Sequence, residues 1–185
     1  MNEQELRNLM YTAQLDETKN PFVIRYPRGQ GVMPEWKTPF EKLEIGKGQK
    51  VKNGNDIAIL TIGHPGNFAI KACKELEVEG IDAAHYNMRF VKPLDEAMLH
   101  EIGKKFYRII TVEDGCVQGG FGSAVLEFFN EHNYKPQVKV LGIPDRIIEH
   151  ASQAQQYAEC GYDTASIVKV AKEMMVKKEG EFALV

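Results

Sequence analysis

The chain has 185 residues with 43% hydrophobic and 26% charged side chains, the balance of an ordinary soluble domain rather than a disordered or fibrous chain. A net charge of −3 gives no basic surface for nucleic acid or membrane. No apolar run approaches the roughly 20 residues of a spanning helix, and the polar start MNEQELRN has no secretory pattern. Cys73, Cys116 and Cys160 are odd in number and form no CxxC, so free thiols in a reducing, cytoplasmic setting are expected.

In chain order, Leu6, Leu9, Met10 and Ala13 recur at helical spacing and predict a first helix with that stripe inward. Lys19-Asn20-Pro21 ends it, and a strand is expected over Phe22–Tyr26. Alternation there would bury one face, so Arg25 could sit in an ion pair. Arg28 follows the Pro27 break at the strand's C-terminal mouth, where a guanidinium can clasp a phosphate or make a surface ion pair. Residues 29–39 have linker composition, with two glycines, two prolines and the single Trp36. The segment 42–54 reads as a polar edge strand, and Asn53-Gly54 as the signal of a tight hairpin.

Beyond it, near-continuous apolar runs alternate with helical patterns. Strands are expected over 56–63, 81–88, 107–114 and 137–145, those at 56–63 and 107–114 buried. Helices are expected over 66–79, after Asp95, from Gly119 through His132, after a Ser152/Gln155 capping box, and after Asp163. The inward positions of the last are Ile167, Val170, Ala171, Met174 and Met175, and the tail KKEGEFALV is expected to fray. This alternation makes an α/β domain with a mostly parallel sheet. The first forty residues cannot close a core alone, so 1–40 reads as the end of one domain and 41–185 as another.

Chemistry-bearing residues are sparse. Gly119, Gly120 and Gly122 lie between a strand and a helix, but the spacing is neither GxGxxG nor a P-loop. Close packing or a subunit contact is the plainer reading. Glu113 and Asp114 end a buried strand, where acid/base work or support of the glycine turn are both open. His64, His85, His100, His132 and His150 show no i, i+4 pair, so zinc is not expected. Val117, Phe121, Leu126 and Phe129 cannot all face one sheet, which points to a dimer-forming face around Gly119–Phe129.

Taken together, NPFVIRYPRGQG, LEIGKGQKV, DIAILTIGHPG, NMRFVKPLD, TVEDGCVQGGFGSAVLE and LGIPDRIIEHASQAQQYAECGYD resemble, in order, the C-terminal third of the 1-deoxy-D-xylulose-5-phosphate synthase family. The resemblance implies a three-layer α/β/α domain of the transketolase C-terminal type. Its mixed five-stranded sheet has one antiparallel edge strand, and a remnant helix and strand of the pyrimidine-binding domain precede it. It also implies that the 42–54 strand lies antiparallel beside the third strand, so that Asn53-Gly54 is a loop turn and not a hairpin. The family condenses pyruvate, with loss of CO2, onto D-glyceraldehyde 3-phosphate, using thiamine diphosphate and Mg²⁺. The resemblance makes Arg28 the substrate-phosphate ligand and Arg25 structural. It makes Glu113, Gly119, Gly120, Phe121 and Gly122 dimer or structural residues of a homodimer. The diphosphate motif and the activating glutamate are missing from these residues, so the chain reads as a fragment, expected to be inactive and to bind no cofactor alone. A piece of a transketolase, of a 2-oxo acid dehydrogenase beta subunit, or a non-catalytic assembly module are the alternatives.

Overall fold

A computed structural model describes residues 1–33 and 35–176. The elements in chain order are α1 (Glu3–Ala13), β1 (Gln49–Lys52), β2 (Ile57–Ile62), α2 (Gly66–Val78), β3 (Ala83–Asn87), α3 (Glu96–Lys105), β4 (Arg108–Cys116), α4 (Phe121–Glu131), β5 (Gln137–Ile143), α5 (Gln153–Cys160) and α6 (Thr164–Val176). The tail expected to fray lies outside the described residues. One sheet runs in the order β1-β3-β2-β4-β5. All its pairs are parallel except β1 with β3, so the polar strand is the antiparallel edge, as the resemblance implied.

Period-2 alternation divides each central strand between two apolar layers. Ile57 and Ile59 of β2 and Ile110 and Val112 of β4 meet Cys73 and Leu76 of α2 and Ile167, Ala171 and Met174 of α6. Ala58, Leu60, Tyr86 and Ile109 point the other way, onto Leu99 and Ile102 of α3 and Phe121, Val125 and Phe129 of α4. Helix ends follow the local signals. Asp95 accepts from Met98 N at 3.1 Å, Ser152 and Gln155 form a capping box, and Gly161 ends α5 at φ 74°. In α6, Val168 takes a core place the pattern overlooked, while Val170 and Met175 are only half-buried.

Three expectations are corrected, while Asn53-Gly54 is the loop turn that the resemblance implied. Residues 22–26 form no strand: Val23 is 86% and Tyr26 70% exposed, and no strand among the described residues offers this backbone a ladder. Helix α1 buries Glu5, Asn8 and Thr12 and leaves Leu6, Leu9 and Ala13 half-exposed and Met10 exposed, the reverse of the predicted stripe. Gly54 serves a close approach, since a Cβ there would lie 2.3 Å from Ala84 N. It lets the entry to β2 press on β3, where Asn55 and Asp56 donate to Asp82 O. Finally, Phe121 and Phe129 are core residues, and Leu126, 42% exposed, faces outward from the middle of α4. The glycine turn lets α4 approach the sheet closely enough to bury both rings.

Candidate functional site

The residues singled out in the sequence gather at the C-terminal ends of β2 and β4, the usual ligand edge of an open α/β sheet. Glu113, near the end of β4, is buried. Its carboxylate accepts from Phe121 N at 2.9 Å and Gly122 N at 2.8 Å, satisfying two donors that α4 would otherwise leave orphaned. The turn is built around it. A Cβ on Gly120 would lie 2.3 Å from Glu113 Oε2, one on Gly122 would lie 2.4 Å from Val140 Cγ1, and Gly119 has φ 70°. With each oxygen accepting a backbone N–H, Glu113 supports the glycine turn.

Asp114, the next residue, points to the opposite face. Its Oδ1 accepts from Tyr162 OH at 2.8 Å, and its Oδ2 lies 3.5 Å from His64 Nδ1. Burial pushes the His64 imidazole below its ordinary pKa, and the Asp114 carboxylate opposes that shift in part. Burial and the bond to Asp114 raise the Tyr162 hydroxyl, which stays a proton donor at any working pH. His64 Nε2 is buried without a hydrogen-bond partner among the described residues, and Tyr157 of α5 packs against its ring with centroids 5.3 Å apart. This His64–Asp114–Tyr162 group escaped the sequence reading. Its parts stand in GHPG, VEDG and CGYD, up to 98 positions apart by number, and no short spacing joins them.

The segment 22–31 crosses this edge and is pinned at two points. Arg25 Nη2 donates to the Asp114 carbonyl at 3.1 Å. Gln153 Nε2 donates to the Arg28 carbonyl. Arg25 therefore ties the segment to β4, and the exposed Arg28 is held by its backbone against the first turn of α5. Gln153 was not singled out in the sequence; a polar residue at a helix start carries no signal beyond capping.

The remaining histidines are elsewhere. His85 is fully buried in β3, with Nε2 2.8 Å from Thr61 Oγ1, and burial depresses its pKa to about 4. His150 is exposed in the loop before α5. His100 and His132 meet across α3 and α4, so two histidines 32 positions apart by number do pair in space, where sequence spacing gave no pair.

No described helix is long and apolar enough to cross a membrane. Among the described residues no group of three or more His, Cys, Asp or Glu side chains is placed to hold a metal ion.

Residues 46–167 match the family model described as the transketolase C-terminal domain. A 1-deoxy-D-xylulose-5-phosphate synthase of Cytophaga hutchinsonii is 63% identical over 94% of this chain and 27% of its own length. One of Bacteroides thetaiotaomicron is 55% identical over 91% of this chain and 26% of its own length. The chain thus spans about a quarter of the length of the curated relatives it matches. A solved structure described as a split gene transketolase, inactive beta4 tetramer, superposes with a TM-score of 0.71 at 30% identity. It covers 80% of this chain and 48% of that one. The match covers β1 through α5 and into α6, with the antiparallel edge strand in place, and the chain therefore belongs to the transketolase C-terminal domain family.

Proposed function

We propose that the chain is the C-terminal part of a thiamine-diphosphate-dependent transferase. The enzyme condenses pyruvate with D-glyceraldehyde 3-phosphate, releasing CO2 and forming 1-deoxy-D-xylulose 5-phosphate. The observation that carries this reading is the 63% identity, over nearly the whole chain, to a protein named for that product. The acidic side chains nearest the sheet edge do not fit a Mg²⁺-diphosphate site. Glu113 is turned onto the backbone N–H groups of the α4 start and Asp114 towards Tyr162 and His64, and among the described residues no group of three or more His, Cys, Asp or Glu side chains is placed to hold an ion. In this reading the rest of the longer protein holds the cofactor and the metal. The boundary between the pyrimidine-binding remnant and the C-terminal domain is placed near residue 40.

The part given to this chain is substrate-phosphate binding and dimer assembly. Arg28 is exposed just beyond Pro27, and Gln153 holds its carbonyl against the N-terminal turn of α5. That helix end adds a partial positive charge to the guanidinium, a combination suited to a phosphate dianion. Arg25, tied to the Asp114 carbonyl, positions the segment. The second copy would meet the turn at Gly119–Gly120 and the exposed Leu126, while Glu113, Phe121 and Gly122 support that face from within.

The test is Arg28→Ala in the full-length enzyme. Losing one charge-assisted contact of about 1.5–3 kcal/mol lowers kcat/KM for D-glyceraldehyde 3-phosphate by roughly 10–150-fold. The KM for pyruvate, which has no phosphate, should hardly move. Equal loss on both substrates would show that Arg28 holds the fold instead. Leu126→Asp in the same protein should weaken the dimer on a sizing column.

A further inference from the structure

The Asn53-Gly54 turn between β1 and β2 lies away from the candidate site and has a chemistry of its own. Of the nine asparagines in the chain, Asn53 alone is followed by glycine. The Gly54 nitrogen and Asn53 Cγ are near neighbours along the covalent chain. Rotation about the Asn53 torsions is all that a five-membered ring between them requires, and no Cβ on Gly54 crowds the nitrogen. Asn53 is exposed and outside both strands. Among the described residues neither its side-chain amide nor the Gly54 N–H has a hydrogen-bond partner. Asn55, two positions on, is held: its Nδ2 donates to Asp82 Oδ2 at 2.9 Å and its N–H to Asp82 O at 2.9 Å.

Lys52 acts on the same peptide unit. Its Nζ donates to the Asn53 carbonyl at 3.3 Å and is kept there by the Ala83 carbonyl at 3.2 Å and Asp82 Oδ1 at 3.4 Å. That carbonyl is conjugated with the Gly54 nitrogen, so charge left on the nitrogen when it loses its proton is shared with the oxygen facing the ammonium. We propose that Asn53 is a site of spontaneous deamidation, promoted by Lys52. A solvent base takes the Gly54 N–H proton, the nitrogen bonds to Asn53 Cγ, and the Cγ–Nδ2 bond breaks with release of ammonia. Water then opens the succinimide ring. Attack at Cγ gives aspartate. Attack at the main-chain carbonyl carbon breaks its bond to the Gly54 nitrogen and gives isoaspartate, whose main chain runs through the side-chain carbons and is longer by one atom. The turn has no slack for that atom: a Cβ on Gly54 would already lie 2.3 Å from Ala84 N and 2.4 Å from the Ala83 carbonyl carbon. The bonds that Asn55 N and Asp56 N donate to Asp82 O, at 2.9 and 3.0 Å, should loosen first.

The test ages the folded chain in warm, mildly alkaline buffer and follows each asparagine by peptide mass spectrometry, with electron-transfer fragmentation to separate isoaspartate from aspartate. Asn53 should convert ahead of the other asparagines, with isoaspartate among the products and faster amide exchange at Asn55 and Asp56 in the aged chain. Asn53→Gln should keep its unaged unfolding midpoint over the same period. Lys52→Met, which keeps the aliphatic stem, should slow conversion by about three- to tenfold. Lys52→Arg, which keeps the charge, should retain most of the rate, and circular dichroism melts confirm that the variants fold. The same chain aged in denaturant gives the rate without the fold. Conversion of Asn53 in denaturant but not in the folded chain overturns the site. Equal rates in folded Lys52→Met and the unaltered chain, or a rate in Lys52→Arg as low as in Lys52→Met, overturn the role of Lys52.

Discussion

Residues 1–48 and residues 49–176 are held by different physics. The second region has hydrogen-bonded ladders and two apolar layers, and its strands β2 and β3 are buried almost throughout. Among its described residues the first has one helix, no strand and no apolar cluster of its own. Its order comes from the polar face of α1 satisfying the backbone of the returning chain. Glu3 accepts from Val32 N and Met33 N at 2.7 and 3.0 Å, Asn8 from Glu41 N at 3.1 Å, and Thr12 Oγ1 from Leu43 N at 2.9 Å. Arg7 donates to the Trp36 and Thr38 carbonyls. Glu5 anchors the helix to the domain through Asn87 Nδ2 at 2.7 Å and Arg89 Nε at 2.8 Å. An apolar stripe predicts burial only where a second layer exists to cover it. In α1 the neighbour is bare backbone, and backbone selects polar side chains.

The contrast can be broken most sharply in the core. Ile59→Ala, at a fully buried position, should cost about 2–5 kcal/mol in denaturant unfolding, and Leu9→Ala on the half-exposed stripe well under 1 kcal/mol. Equal losses would mean that α1 is packed like the domain.

Acid should act on the second region through His85. Its folded pKa is depressed to about 4 against an ordinary 6.5, so the unfolded chain binds the extra proton between those values. Stability is full above pH 6.5 and falls as pH drops towards 4, by about 3 kcal/mol over that window. His85→Gln, which cannot titrate, should flatten this part of the pH profile; an unchanged slope would assign it to other groups.

Glu113→Gln tests the glycine turn. One carboxylate oxygen becomes an amide that cannot accept, which should cost about 1.5–3 kcal/mol, seen as a lower unfolding midpoint. The smallest global effect is expected from Asn8→Leu, about 1 kcal/mol or less. Its signature is local: faster amide exchange at Glu41, with the amides of β2 unaffected.

The domain was legible because its information is local. Apolar runs bounded by glycine and proline, Asp95, and the Ser152/Gln155 box mark strands and helix ends from neighbouring residues alone. The resemblance to a known family supplied the antiparallel place of β1, against the hairpin that Asn53-Gly54 suggested. Tertiary structure alone decided the remainder. It left Phe22–Tyr26 without a strand, because a strand exists only with a partner. It turned the polar face of α1 inward, because that face meets unpaired N–H groups. It buried Phe121 and Phe129, because glycines without Cβ atoms let α4 close on the sheet. It also joined His64 to Asp114 and Tyr162, and His100 to His132, since side chains from separate elements converge only when the sheet order and the helix seams bring their backbones together.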